Sequence, residues 1–452
     1  MSGYIKDVLE SLEERNPGEK EFLAAAKEAL DSIGLIIDDH PDHRKSAILE
    51  RLVEPERIIT FRAPWVDDDG KPHVNRGWRV QFSSALGPYK GGLRFHPSVT
   101  QSVLKFLGFE QTFKNSLTGL SLGGAKGGAD FDPKGRSDDE IRRFCESFMD
   151  ELHRHIGPDR DIPAGDIGVG SREIGYLFGR YRRLRNEFTG TLTGKGLAWG
   201  GSPLRTEATG YGVVYFAAAM LSDSGKSLEG MRCIVSGSGN VAVYTAEKLI
   251  DMGARPITLS DSGGFIFEPD GLTREKLDWI KELKFERRGR ISEYADEFSS
   301  AKYTKAPKEG ANPLWQVEAD GVFPCATQNE LDERGARDLV KAGVKLVVEG
   351  ANMPATHEAV EVFREKKIAF APGKASNAGG VAVSGLEMSQ NSMRLTWTEE
   401  EVEGRLRAII ERVHKSCLDM ADVCGQCNDY AHGANIAGYL RVAAAMKAQG
   451  AW

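Results

Sequence analysis

Hydrophobic positions recur along this chain with two different periods, and the changes between them divide it. Ile5, Val8, Leu9 and Leu12 fall three or four residues apart, which predicts a first amphipathic helix. Asn16, Pro17 and Glu19 then offer an N-cap, a first-turn proline and an N3 acid for a second helix, with Phe22, Leu23, Ala26, Leu30 and Ile33 on its apolar face. Helical texture continues to about residue 55. The period then shortens: 58–66 reads as a strand, 67–70 (DDDG) as a turn, and Val74, Trp78, Val80 and Phe82 as the returning strand. Helical spacing resumes with Val103, Phe106, Leu107, Phe113 and Leu117 over 102–118, and again with Ile141, Phe144, Phe148 and Leu152 in 137–184. PAGDIGVG at 163–170 interrupts that second stretch as a loop.

Seven glycines between 189 and 212 read as a hinge or linker. Beyond it strands and helices alternate. A short apolar strand at 232–236 leads into GSGNVA at 237–242, then a helix through Tyr244, Ala246, Leu249 and Met252, then a second strand at 256–260 ending on Asp261. Strand, G-x-G-x-x-A and helix in that order suit a dinucleotide: Gly237 makes the turn, Gly239 admits the pyrophosphate and Ala242 lets the helix pack closely. Further strands are expected at 321–326, 344–349 and 368–372, each ending in a polar or glycine-bearing loop, with Asn352 and Asn377 as the loop residues to watch. Thr398 and Glu401 form a capping box for a long helix, and a last helix at 435–446 is expected to return to the first domain. The fold class is therefore α/β: an N-terminal α/β substrate and oligomerisation domain over 1–203, joined by 429–452, and a Rossmann-like dinucleotide-binding domain over 204–428.

The chemistry gathers between residues 87 and 130. Lys90 lies in GPYKGG and Lys126 in LGGAKGGA, loops whose glycines would let a ligand approach the backbone, while Gln111 and Lys114 share one face of the helix between them. Three converging ammonium groups need an anion among them, and desolvation would push one toward its neutral, basic form. Asp166, with a glycine on its N-terminal side in the 163–170 loop, matters if it meets those lysines.

At 452 residues, 28% charged and 40% hydrophobic, the chain has an ordinary globular composition, and its net charge of −7 argues against nucleic acid or an anionic membrane as partner. No apolar run reaches spanning length, and the acidic N-terminal stretch suits no targeting peptide, so a cytoplasmic location is expected. Cys424 and Cys427, near His414 and His432, lack the second ligand pair of a structural zinc site and are expected to be reduced thiols; no metal is expected.

Several motifs in order, GPYKGGLRF (87–95), LGGAKGGA (122–129), PAGDIGVG (163–170), RTEATGYG (205–212), GSGNVA (237–242), EGANMP (349–354) and SNAGGVAVSGLEMSQN (376–391), make the chain resemble the glutamate dehydrogenases of the small hexameric type over nearly its whole length. The resemblance implies a homohexamer that oxidatively deaminates L-glutamate to 2-oxoglutarate and ammonia. In that family the residues matching Lys90 and Ser384 hold the side-chain carboxylate, those matching Lys114 and Gln111 hold the α-carboxylate, the one matching Lys126 activates water, and the one matching Asp166 exchanges protons with the amino group. Gly91 joins the expected substrate set. The expected cofactor set is Arg205, Thr209, Gly237, Ser238, Gly239, Asn240, Val241, Ser260, Asp261, Ser262, Lys284, Arg287, Asn352 and Asn377. NADP is the expected cofactor, with NAD as second choice: Asp261 alone suits an NAD ribose, but Ser260, Ser262 and the bases Lys281, Lys284, Arg287, Arg288 and Arg290 suit a 2′-phosphate. A cleft closing about residues 190–212 would exclude competing water. A related dehydrogenase for leucine, phenylalanine or valine is disfavoured, because Lys90 would face an apolar side chain unpaired. A non-catalytic dinucleotide-binding regulator would not need Lys126 and Asp166.

Overall fold

The computed structural model describes residues 2–307, 310–425 and 428–450. Contacts divide the chain into two units, one of residues 1–205, 381–403 and 435–452, the other of 206–380 and 404–434. The segment 381–403, expected with the dinucleotide-binding domain, falls in the first unit, and a physical reason is visible in Glu387, whose carboxylate accepts the backbone N–H groups of Gly194 and Lys195 at 2.8 and 3.3 Å.

The first unit is built on a five-stranded sheet. Its strands are β1 (Arg57–Val66), β2 (Pro72–Ser83), β3 (Tyr89–Phe95), β4 (Gly124–Ala129) and β5 (Asp161–Gly165), in the order β1-β2-β4-β3-β5. β1, β2 and β4 pair antiparallel, whereas β3 pairs parallel with both β4 and β5. Trp65, Leu93, Phe95 and Phe131 pack with Phe144, Phe148, Leu177 and Tyr181 of the helices Asp138–Leu152 and Ser171–Arg185 into one buried core. The helix Gln101–Leu117 covers Val80 and Phe82, as its Gly108 packs directly on both.

Two expectations for this unit change. Both lysine-bearing glycine runs are central strands, not loops, and their glycines serve strand packing: a Cβ on Gly91 would lie 1.6 Å from the Ala125 carbonyl oxygen, and one on Gly92 2.8 Å from that of Gly165. The second helix begins at Lys20 with Glu19 as its N-cap, not at Asn16, because Gly18 adopts φ +83° and breaks the turn. Asn16 instead closes the first helix, its amide donating to the Leu12 carbonyl at 2.8 Å.

In the second unit, β6 (Arg232–Val235), β7 (Arg255–Pro256), β11 (Gly321–Phe323), β12 (Leu346–Val348) and β13 (Ala369–Ala371) form a parallel sheet in the order β13-β12-β11-β6-β7. A second, antiparallel sheet holds β8 (Thr258–Asp261), β9 (Gly264–Phe267) and β10 (Lys302–Lys305). The single strand expected at 256–260 is thus divided. Pro256 carries no N–H for the ladder, and beyond it the Thr258 hydroxyl bonds both the N–H and the C=O of Val235 at 3.0 Å. Part of the expected hinge is also helical, since the helix Ala208–Asp223 begins inside it. No helix among the described residues is long and apolar enough to cross a membrane. Cys424 is a free thiol, and Cys427 lies outside the described residues.

Candidate active site

Sheet pairing brings the charged residues of the first unit together. Side chains alternate along a strand, so Lys90, Gly92 and Arg94 share one face of β3, and Arg94 lies opposite Gly128, two residues past Lys126 on β4. Asp166 follows directly after β5, whose pairing with β3 carries it alongside. The result is a buried ion-pair chain in which Lys126 Nζ lies 2.9 Å from Asp166 Oδ1 and Arg94 Nε 2.6 Å from Asp166 Oδ2. Burial opposes ionisation of Asp166, but the two cations outweigh it and hold the carboxyl well below the usual carboxylate range. Burial lowers the Lys126 ammonium, against the pull of Asp166 and with added repulsion from Arg94.

Lys90 makes no carboxylate contact among the described residues. Its Nζ donates to the Ile162 carbonyl at 2.9 Å and to Thr193 Oγ1 at 2.8 Å, and the Thr193 hydroxyl donates on to Ser384 Oγ at 3.3 Å. Burial, then the charge of Arg205, push its pKa well down. Lys114 is brought down to about 7 by burial and by Lys126. Gln111, on the same helix, donates to Asn115 at 2.6 Å, and Gly91 receives Arg79 Nη1 on its carbonyl at 3.0 Å. The Arg79 guanidinium is buried in a two-pronged pair with Asp161, at 2.9 and 2.5 Å.

The sequence-predicted cofactor residues fall into several groups. Gly237, Ser238, Gly239, Asn240, Val241, Ser260, Asp261 and Ser262 line one cavity of about 520 Å³ in the second unit. Gly237 takes φ +86°, and Gly239 caps the helix Asn240–Asp251 with no side-chain cap bond and with open space where a Cβ would stand. That leaves helix N–H groups for an anion. Asp261 is already engaged: its two oxygens accept the N–H groups of Gly263 and Ile291 at 2.8 and 3.0 Å, and Lys284 Nζ and Arg290 Nη1 each lie 3.9 Å from Oδ2. Arg290 also donates to Ser262 Oγ at 3.0 Å. Arg287 is not among them; its guanidinium lies over the Trp279 ring, 4.7 Å from the centroid. Asn352 and Asn377 bond each other at 3.0 Å, and Asn377 Oδ1 is buried with no hydrogen-bond partner among the described residues. Thr209 stands in the first turn of the helix Ala208–Asp223, and Arg205 belongs to the first unit, where its charge acts on Lys90 and Lys114.

Four residues were not in the expected sets. Arg94 sits inside GPYKGGLRF, and a strand reading of that motif places it on the face of Lys90. Arg290 was one of five neighbouring bases. Thr193 had no local signal. Glu330, which lines the cavity, accepts the Ser236 hydroxyl and the Ala326 N–H at 2.9 Å, and burial pushes its carboxyl up to about 7.

Residues 200–450 match the model of the Glutamate/Leucine/Phenylalanine/Valine dehydrogenase domain, and residues 55–183 match the Glu/Leu/Phe/Val dehydrogenase dimerisation domain. The chain is 55% identical to an NADP-specific glutamate dehydrogenase of Helicobacter pylori, over 99% of this chain and 100% of that one. It is also 55% identical to an NAD(P)-specific glutamate dehydrogenase of Xylanibacter ruminicola, over 98% of this chain and 99% of the relative. The crystal structure of a Plasmodium falciparum glutamate dehydrogenase superposes with a TM-score of 0.96 at 51% identity, covering 99% of this chain and 95% of that one. Two lysines on one sheet face and a third on the covering helix, with Asp166 beside Lys126, a glycine turn opening on a cavity, and similarity over nearly the whole length agree: the chain belongs to the Glutamate/Leucine/Phenylalanine/Valine dehydrogenase family.

Proposed function

We propose that this chain is an NADP-dependent glutamate dehydrogenase, catalysing the reversible oxidative deamination of L-glutamate to 2-oxoglutarate and ammonia. The observation that carries this reading is the unequal partnering of its lysines: Lys126 is paired with Asp166, whereas Lys90 bonds a carbonyl and a hydroxyl oxygen. A buried lysine held by a carbonyl and a hydroxyl gains a partner for its ammonium form when a carboxylate binds, and an apolar substrate side chain there would give it none. Lys90, with Thr193 and Ser384, takes the side-chain carboxylate; Lys114 and Gln111 take the α-carboxylate; Gly91 forms the wall beside them.

The second unit fits the cofactor. The uncapped helix end after Gly239 suits a pyrophosphate, and the unpartnered Asn377 Oδ1 suits a carboxamide N–H. With both Asp261 oxygens committed to backbone N–H groups, Ser262, Lys284 and Arg290 remain to receive a 2′-phosphate. Bound NADP supplies the acceptor for hydride leaving Cα of glutamate. Asp166, ionised, accepts a proton from the substrate amino group. Lys126, its own proton given up to solvent, takes a proton from the water that attacks the resulting imine carbon; Asp166 then returns its proton to nitrogen, and as the C–N bond breaks the carbinolamine hydroxyl proton leaves with the ammonia as ammonium, giving 2-oxoglutarate.

The match to a dimerisation domain and the resemblance to the hexameric enzymes support a homohexamer. The five described cysteines, all free, suit a cytoplasmic location. The reading is tested by following absorbance with 2-oxoglutarate and ammonium plus NADPH or, separately, NADH. It expects rapid oxidation of NADPH and slower oxidation of NADH; no 2-oxoglutarate-dependent oxidation of either would overturn it, and a preference for NADH would overturn the cofactor assignment.

A further inference from the structure

Asp166 has two cationic neighbours, and the reading above uses one of them. Arg94 bonds the other carboxylate oxygen at 2.6 Å, and the three side chains are sequestered together, with 13% of Arg94, 16% of Asp166 and 5% of Lys126 exposed. Gly92 makes this arrangement possible, since a Cβ there would stand 2.9 Å from that of Asp166.

An isolated buried pair of lysine and aspartate is poorly suited to a base. The carboxylate favours the charged lysine and so raises its proton affinity. A guanidinium on the far side of the same carboxylate reverses that tendency. It is permanently protonated, offsets the field of the carboxylate, and repels the lysine's proton through surroundings less polar than water.

We propose that Arg94 is a positioning residue that sets the proton affinity of Lys126: it leaves Nζ able to act as a base near neutral pH and holds the Asp166 carboxylate in place when that proton departs. This rests on the function proposed above. In the step concerned, the Lys126 Nζ lone pair takes a proton from water as the water oxygen bonds the imine carbon, and the electron pair of the C=N bond moves to nitrogen. The Lys126 ammonium so formed regains its ion pair once Asp166 has returned the amino proton to nitrogen.

The charged groups acting on Lys126 come from several elements: Asp166 after β5, Arg94 on β3, Arg79 on β2 and Lys114 on the helix Gln101–Leu117. Arg79 is compensated by its bidentate pair with Asp161, and Lys114 itself titrates near 7. Arg94 is therefore the fixed cation that bonds Asp166 directly. The depression of the Lys126 pKa, to which Arg94 contributes after burial, agrees with this role.

The test compares pH profiles of kcat/KM for glutamate in the wild type, Arg94→Gln and Arg94→Lys. Arg94→Gln keeps a hydrogen-bond donor and loses the charge, so its acid limb should move up by about 1 pH unit and its rate at pH 7 should fall about tenfold, recovering at high pH. Arg94→Lys should keep the limb near the wild-type position. A uniform loss at every pH with an unmoved limb, or an unchanged profile, overturns the proposal. Arg94→Met serves the same comparison should Arg94→Gln not fold. Competitive acetylation of Lys126 against pH, read by mass spectrometry, separates this proposal from the functional reading. If glutamate is not turned over at all, that reading fails, while the labelling midpoint still decides whether Arg94 sets the proton affinity: a midpoint raised in Arg94→Gln supports it and an equal midpoint overturns it.

Discussion

At the scale of single residues, three lysines of one site have three electrostatic settings, which suit the different roles proposed for them. Lys114, with its pKa brought down to about 7, is only partly charged in the free protein at neutral pH. An α-carboxylate binding beside it favours its ammonium form, so glutamate binding takes up a proton. Above about pH 7 that protonation costs progressively more, and glutamate KM should rise by up to ~10-fold per pH unit. Lys114→Met should raise KM and flatten this dependence; a KM independent of pH between 7 and 9 in the wild type contradicts the assignment. For Lys90→Leu, glutamate affinity should be lost and activity toward apolar amino acids gained, which a substrate panel checks; unchanged glutamate kinetics would remove Lys90 from the carboxylate site. Lys90, Lys114, Lys126 and Asp166 were all legible because glycine-rich or amphipathic surroundings marked them. Thr193 was not, since it reaches Lys90 across 103 residues of sequence and lies in a stretch whose glycines suggested a linker.

At the scale of elements, the glycines of β3 and β4 are read differently once the sheet is seen. Period-two alternation cannot be detected where so many positions lack a side chain, so two central strands resembled loops. Their packing gives a stability prediction. Gly91→Ala drives a methyl group into the Ala125 carbonyl and should destabilise by ~3 kcal/mol or more, whereas Gly404→Ala, in the helix Glu399–Val423 with nothing near its Cβ, should stabilise by about 0.5–1 kcal/mol. Urea unfolding midpoints of both variants provide the comparison, and a Gly91→Ala midpoint equal to wild type would contradict the packing account. The basic run after β8 shows a second limit. A π-helical turn over Glu282–Glu286 shifts the register of the residues after it, so Arg287 lies over Trp279 while Arg290 reaches Ser262. Spacing alone gave no means of choosing between those arginines.

At the scale of the whole molecule, the α/β class and the dinucleotide turn followed from hydrophobic period and one glycine motif, because both are local. The allocation of 381–403 to the first unit was not local; it depends on Ser384 and Glu387 meeting residues 193–195. The proposed homohexamer predicts a light-scattering mass six times that of one chain, and a monomer mass at micromolar concentration would contradict it. Above all, substrate binding and proton transfer fall to different lysines in the proposed function, and Lys126→Ala tests that division. NADPH affinity, followed by its fluorescence, should remain within about twofold of wild type, while kcat for reductive amination of 2-oxoglutarate should fall at least ~10³-fold. Substantial residual turnover in that variant, with NADPH binding intact, would show that Lys126 is not the base.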